Sequence, residues 1–231
     1  MGKHSDKKAI VFGGTSGIGL ETVKLLRDED CQVIAAGRRE SQIDGVETVQ
    51  VDVLDREAVE ALFVKHSGFH YLVNAATGGA RAIGPFKEMD LDGLQGSFAK
   101  LWGYTNTVRL GVAHMAENGS IVLFSGYPAR KWRPGSLAIG TVGGAVEAFI
   151  KHAANEIKPI RINGVSPGLI DTPMFPMQGT DRQAFFQEGT QDHLIPRSGQ
   201  AIEVASAALF LIENEFITGT IVDVDGGAII S

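Results

Sequence analysis

The sequence predicts an α/β protein built on a doubly wound parallel sheet of about seven strands, with helices on both faces in three layers. Short runs rich in Val and Ile alternate with longer stretches of helical periodicity along nearly the whole chain. Such strands are apolar on both faces, which is typical of a parallel sheet buried between helices. The predicted strands are Ala9–Phe12, Gln32–Ala36, Glu47–Val51, Tyr71–Asn74, Ser120–Phe124, Arg161–Val165 and Ile221–Val224.

The 231 residues are enough for one large core, and no shift in composition divides them, so we expect a single domain over residues 1–231. One long stretch, Thr172 to Gly199, contains several Pro and Gly residues and has no clear periodicity. Because it follows a late strand, it should overhang the carboxyl edge of the sheet, where ligands bind in such folds. We therefore predict that residues 172–199 form an irregular lid on the substrate side.

Composition excludes several classes of partner. A formal net charge of -6 disfavours nucleic acid and anionic membranes, since both reward a basic face. The single cysteine, Cys31, cannot form an internal disulfide or a cysteine cage, and we expect no metal site. No apolar run is long enough to span a bilayer, and the polar N-terminal segment lacks the apolar core of a signal peptide. We expect a cytoplasmic protein that binds a small molecule.

A glycine-rich turn follows the first predicted strand and leads directly into a helix. Glycine lets the backbone approach a pyrophosphate closely, and the first N–H groups of the helix bind negative charge. This arrangement predicts an adenine dinucleotide site, although a tight turn without a ligand would have the same spacing. The candidate residues in the turn are Gly13, Thr15, Ser16, Gly17, Ile18 and Gly19.

The end of the second strand indicates which dinucleotide is bound. An NAD site usually has an Asp or Glu there, which accepts hydrogen bonds from the ribose hydroxyls. This chain has Arg38 and Arg39 instead. A guanidinium binds a 2′-phosphate bidentately, so the sequence favours NADP(H). The alternative is that the two arginines are only a solvated pair of charges.

With these motifs in place the chain resembles the short-chain dehydrogenase/reductase family, which implies a Rossmann-type fold and an oxidoreductase. The resemblance implies further cofactor contacts from three segments: Asp52 and Val53 beside the adenine, Asn74, Ala75 and Ala76 after the fourth strand, and Pro167, Gly168, Ile170 and Thr172 at the nicotinamide. It also implies a homodimer or homotetramer, paired through helices predicted at Leu94–Met115 and Ser136–Ile157.

The usual active-site residues of that family are missing. Its chemistry requires a tyrosine as general acid, a lysine four residues later, a serine and an asparagine. The predicted helix Ser136–Ile157 contains no tyrosine, and Ile139 and Gly143 occupy the positions of the tyrosine and lysine. Gly126 stands at the serine position and Lys100 at the asparagine position. The chain thus resembles a smaller group of atypical members that keep the cofactor motif, carry Lys at the asparagine position and lack the usual active-site residues.

Three residues are candidates for the remaining chemistry. Lys100 could donate a proton if burial lowers its pKa, or it could simply replace the hydrogen bonds of the asparagine. Ser125 could bond a substrate oxygen or merely cap the end of its strand. Tyr127, followed four residues later by Lys131, is either a displaced catalytic pair or a loop residue that lines the site.

The sequence therefore favours an NADP(H)-binding oxidoreductase that reduces a carbonyl or an activated double bond at an atypical site. Two alternatives stay open. One is a non-redox enzyme, such as an isomerase or a cyclase, on the same fold. The other is a catalytically silent module that binds NADPH.

Overall fold

The computed structural model describes residues 2–77 and 81–231, and in these ranges strands and helices alternate as predicted. The strands are β1 (Lys8–Phe12), β2 (Gln32–Gly37), β3 (Glu47–Gln50), β4 (Phe69–Asn74), β5 (Met115–Phe124), β6 (Arg161–Pro167), β7 (Ile170–Asp171), β8 (Gly199–Gln200) and β9 (Ile221–Val224). The helices are α1 (Gly17–Asp28), α2 (Arg56–Lys65), α3 (Leu91–Ser97), α4 (Ala99–Gly111), α5 (Leu137–Glu156), α6 (Gly179–Thr190) and α7 (Ala201–Glu213).

Seven strands form one parallel sheet in the order β3-β2-β1-β4-β5-β6-β9. All seven predicted strands are confirmed. The strand order reverses direction beside β1, so β1 and β4 flank the crevice in which doubly wound folds bind their ligands.

Alternate residues of each strand enter two separate cores, one on each face of the sheet. Ile10 and Phe12 pack with α2, α4 and α5, where the ring of Phe63 lies 5.8 Å from that of Phe12. Ala9 and Val11 point the other way and pack with α1 and α7. This period of two with both faces buried is why the strands read as continuous apolar runs, and it confirms the predicted three layers.

Two predictions about local structure are wrong. The stretch from Thr172 to Gly199 is not irregular, because it contains α6, and the short strands β7 and β8 pair at its two ends. The predicted long helix Leu94–Met115 is instead α3 and α4, which are separated at Phe98, and β5 already begins at Met115. The chain leaves the helix early because Met115 pairs with Phe69 of β4.

The predicted helix Ser136–Ile157 is confirmed as α5, which is one residue shorter at each end. No helix of the described ranges combines the length and apolar composition needed to cross a bilayer.

Candidate active site

The predicted site residues gather at one edge of the sheet. Parallel strands end on the same side, so the loops that follow them are neighbours. The structure brings the following residues to this edge: Gly13, Thr15, Ser16, Gly17, Ile18 and Gly19 after β1; Arg38 and Arg39 after β2; Asp52 and Val53 after β3; Asn74, Ala75 and Ala76 at the end of β4; Ser125 and Tyr127 after β5; and Pro167, Gly168, Ile170 and Thr172 at the end of β6 and beyond it.

The glycine turn is packed too tightly for side chains at Gly13 and Gly19. Gly13 has a φ of +72°, and a Cβ there would lie 2.8 Å from the backbone N of Ala76. A Cβ on Gly19 would lie 2.2 Å from the carbonyl oxygen of Gly13. Because real Cβ atoms do not approach that closely, glycine at these positions sets the path of the turn between β1 and α1.

The N-terminus of α1 is left open by its own sequence. Ser16, the N-cap, makes no side-chain capping hydrogen bond, and the first turn has no acidic residue. The first N–H groups of a helix have no intrahelical acceptor and carry partial positive charge. This end of α1 is therefore suited to an anionic group of a ligand.

The segment after β6 lies directly against the glycine turn. A Cβ on Gly17 would be 3.6 Å from Cβ of the buried Thr172. Arg182 of α6 holds this segment in place, because it donates to the carbonyl oxygen of Thr172 at 3.0 Å and pairs with Asp171. The two predicted halves of the ligand site are thus adjacent in space although they are far apart in the sequence.

Arg38 and Arg39 are exposed at the end of β2. The backbone of Arg38 is fixed from β3, where Nε2 of Gln50 donates to its carbonyl oxygen at 3.1 Å. A hollow of about 470 Å³ lies beside Arg39 and includes Gln50 in its lining. The end of β2 lies close to the glycine turn, because a Cβ on Gly37 would be 2.7 Å from Oγ1 of Thr15.

The polar side chains after β3 and β4 are engaged within the protein. Nδ2 of the buried Asn74 donates to Oγ1 of Thr107 at 2.8 Å, and its Oδ1 accepts from the N–H of Ala76 at 3.0 Å. Asp52 accepts from the N–H of Leu54 at 2.9 Å, and Val53 is buried. The side chains of Asn74 and Asp52 therefore fix the shape of their loops.

Lys100 lies in the first turn of α4 and reaches the end of β5. Its Nζ donates to the carbonyl oxygen of Ser125 at 3.0 Å and lies 5.6 Å from the centre of the Tyr104 ring. Burial, with a smaller contribution from the charge of Arg81, lowers the pKa of Lys100 to about 7. The ammonium can therefore lose and regain a proton near neutral pH.

Ser125 is held by a buried carboxylate that the sequence analysis missed. Its hydroxyl donates to Oε1 of Glu147 at 2.9 Å, and Glu147 is only 7% exposed in the middle of α5. Nε of Arg130 donates to the same oxygen at 3.2 Å, and Arg130 also pairs with Asp223. The hydroxyl proton of Ser125 is thus directed to Glu147. The only signal in the sequence was an acidic residue in the apolar middle of a helix.

Tyr127 is buried in a short 3-10 turn after β5. Its hydroxyl accepts a hydrogen bond from Nη1 of Arg133 at 2.7 Å, and its ring meets that of His193 edge-on at 6.1 Å. Lys131 bonds Ser231 instead, with Nζ 3.2 Å from Oγ. The displaced Tyr127 and Lys131 pair is therefore not formed, and Arg133 is the cation beside this tyrosine.

Comparisons with known proteins agree with this geometry. A family model described as enoyl-(acyl carrier protein) reductase matches residues 13–228. The 3-oxoacyl-[acyl-carrier-protein] reductase FabG of Thermotoga maritima is 31% identical over 97% of this chain and 98% of its own length. Carbonyl reductase family member 4 of Danio rerio is 31% identical over 95% of this chain and 96% of its own.

Two solved structures extend the likeness to three dimensions. A small-chain dehydrogenase in complex with NADPH has a TM-score of 0.88 and 33% identity, covering 97% of this chain and 99% of that one. The ligand-free aldohexose dehydrogenase of Thermoplasma acidophilum has a TM-score of 0.89 and 29% identity, covering 99% of this chain and 97% of that one. The sheet edge described above is thus part of a fold shared over the whole length.

Proposed function

The chain belongs to the short-chain dehydrogenase/reductase family, and we propose that it is an NADP(H)-dependent oxidoreductase that reduces a carbonyl or an activated double bond at an atypical active site. In this proposal the cofactor site is the sheet edge from the glycine turn to Thr172. The catalytic candidates are Lys100, Ser125 and Tyr127.

The residues of the edge fit a phosphorylated dinucleotide. The open N-terminus of α1 offers N–H groups to a pyrophosphate, and the glycines of the turn have no side chains that would block its approach. Arg38 and Arg39 follow β2, where a 2′-phosphate would require a cation and a carboxylate would repel it. The NADPH found with the similar small-chain dehydrogenase is consistent with this assignment.

The position of Thr172 beside Gly17 favours an enzyme over a module that only binds the cofactor. A module that only binds the adenine half would need the glycine turn and the arginines, but not the segment after β6. Here Thr172 is buried against the turn and is fixed by Arg182. This arrangement supports a site for the whole dinucleotide, including its nicotinamide end.

NADPH, when bound, supplies a hydride. The protein must then supply a proton to the substrate oxygen or carbon. We assign that proton to Lys100, whose pKa of about 7 suits an acid at neutral pH. Ser125 is oriented by Glu147, and Tyr127 keeps its own hydroxyl proton available because its oxygen accepts from Arg133. This set would replace the family's tyrosine and lysine, whose positions in α5 are occupied by Ile139 and Gly143.

Fluorescence titration with NADPH and NADH tests the cofactor. Arg38→Asp should weaken NADPH binding by about ten- to a hundredfold and change NADH binding much less, since a charge-assisted pair is worth about 1.5–3 kcal/mol. Arg39→Asp, which alters the neighbouring charge, shows which arginine carries the preference. If the wild-type protein binds neither nucleotide, the proposed function is wrong.

Stopped-flow oxidation of bound NADPH by a panel of ketones, enones and quinones tests turnover. Oxidation by at least one class, slowed in Lys100→Met, supports the assigned chemistry. Wild-type protein that binds NADPH but oxidises it with no compound of the panel would favour the silent module.

We also propose that residues 172–199 act as the lid on the substrate side and that the protein is a homodimer or homotetramer. Trp102 of α4 and Leu137 of α5 are exposed apolar side chains on the helices through which the family commonly pairs. Light scattering at micromolar concentration tests the assembly, and a monomer would contradict it.

A further inference from the structure

Two cations lie near the buried Tyr104. Lys100 reaches the carbonyl oxygen of Ser125 from α4. Arg81, on the loop that leads from β4 towards α3, reaches across to the sulfur of Met174 in the lid segment. Both charges act on Tyr104, because Lys100 lies over its ring and the charge of Arg81 influences its hydroxyl. Arg81 and Lys100 thus lie near the same tyrosine, and Arg81 also contacts the lid segment.

Within the part of the chain that the structure describes, neither cation pairs with a carboxylate. Over residues 2–77 and 81–231, ion pairs hold Arg130 and Arg182, but none includes Arg81 or Lys100. The groups that face Lys100 are the Arg81 guanidinium, the Tyr104 ring and the Ser125 carbonyl. Burial lowers the pKa of Arg81 as well as that of Lys100. Two like charges that lie close together and are partly buried repel each other, and an anion bound between them would offset that repulsion.

We propose that the substrate is an organic carboxylate, whose carboxylate group is bound by Arg81 while its reacting oxygen faces Lys100. The proposal rests on the proposed function and specifies its substrate class. Arg81 is the suitable binder because a planar guanidinium matches a carboxylate with two parallel hydrogen bonds, whereas an ammonium is a point charge. The contact with Met174 places this binding group beside the lid segment.

Binding of a carboxylate would also load Lys100 with its proton. The charge of Arg81 helps to keep Lys100 neutral, and a bound carboxylate offsets that charge. At pH 8, before the anion binds, Lys100 is mostly neutral. Binding of the anion raises the pKa of Lys100, so Lys100 takes up a proton. In the reaction the substrate carbonyl gains a hydride at carbon, from NADPH that becomes NADP⁺, and a proton at oxygen from Lys100. The product is an alcohol, and neutral Lys100 regains its proton from solvent.

Calorimetry on the protein saturated with NADP⁺ tests the binding step. Benzoate is titrated at pH 8 in two buffers that differ in ionisation enthalpy, with benzamide as its neutral match. We expect an uptake of about half a proton or more per benzoate and none with benzamide. Lys100→Met should bind benzoate without proton uptake. Arg81→Met should bind benzoate at least about tenfold more weakly, and Arg81→Lys should recover part of that affinity. Arg109 is exposed on α4, so Arg109→Met is the control and should behave as wild type.

Turnover tests the substrate class with 4-formylbenzoate and its methyl ester. The acid should have a kcat/KM at least about tenfold higher than the ester in wild type, and Arg81→Met should remove the difference. Equal turnover of the acid and the ester, without proton uptake, would overturn the carboxylate proposal. The proposed function as a reductase would still stand. If inorganic phosphate binds as tightly as benzoate, the site accepts any small anion, and the carboxylate proposal is also wrong. If no NADPH binds, the proposed function fails, and the benzoate titration of the free chain still decides this inference.

Discussion

Replacing Lys100 by Met should stabilise the protein, and by an amount that depends on pH. Lysine in an unfolded chain titrates near 10.5, whereas in the folded protein burial and the charge of Arg81 lower the pKa of Lys100 to about 7. Below pH 7 the ammonium is protonated in both states, so the folded state bears the full cost of its burial. Between these two values the unfolded state binds more protons, and wild-type stability rises with pH.

The size of the effect follows from one proton. Each pH unit in that window changes the free energy of unfolding by about 1.4 kcal/mol per proton. Raising the pH from 7 to 9 would add at most about 3 kcal/mol to wild type through Lys100, and about 2 kcal/mol once water around the partly buried side chain is allowed for. The stabilisation gained by Lys100→Met should therefore be largest near pH 6.5 and shrink by that amount at pH 9.

Urea unfolding at four pH values between 6.5 and 9 measures this difference, because other titrating groups are common to both proteins. Lys151→Met, on the exposed side of α5, controls for exchanging a lysine for methionine outside the site. Curves for wild type and Lys100→Met that run parallel over the whole range would refute a lowered pKa at Lys100. They would also remove the basis for its role as an acid at neutral pH.

Three further changes test the frame around the site. Gly19→Ala should cost about 2–3 kcal/mol in urea unfolding, because its Cβ would meet the Gly13 carbonyl, whereas Gly144→Ala on α5 meets nothing and should stabilise by up to about 1 kcal/mol. Glu147→Ala should lower stability by about 3 kcal/mol, since it leaves buried partners unpaired, and Glu147→Gln should recover part of the loss. Arg182→Met should speed proteolytic cleavage between residues 172 and 190, and cleavage at the wild-type rate would show that this arginine does not hold the lid.

The sheet could be predicted because its signal is local. Each strand is buried on both faces, so its apolar run is visible without knowing which element covers it. The helix α6 could not be predicted in this way. Its rings at Phe185 and Phe186 pack against Phe175 at 5.1 and 5.4 Å, a tertiary contact that offsets the prolines before it and the glycines at both ends. The start of β5 at Met115 was hidden for the same reason, since pairing with Phe69 decides it.

The cofactor side of the site was accessible from the sequence because glycine spacing and arginine position have a direct physical meaning. The catalytic side was less so. Ser125, Lys100 and Tyr127 were identified as candidates, but their hydrogen bonds depend on partners that are distant in sequence or on another element. Glu147, in the middle of α5, accepts a hydrogen bond from the hydroxyl of Ser125, and Arg133 rather than Lys131 donates to Tyr127. No spacing rule connects these residues.

In the proposed site the group whose pKa is lowered is a lysine, and not a tyrosine. In the family that the chain belongs to, a lysine lowers the pKa of a tyrosine acid, whereas α5 here has no tyrosine and has Gly143 at the lysine position. Burial and the charge of Arg81 instead bring Lys100 itself to a pKa of about 7. A lysine tuned by a neighbouring cation responds to anything that neutralises that cation. An anionic substrate on Arg81 would therefore raise the proton occupancy of Lys100 when it binds, whereas a neutral substrate would leave the acid half loaded at neutral pH.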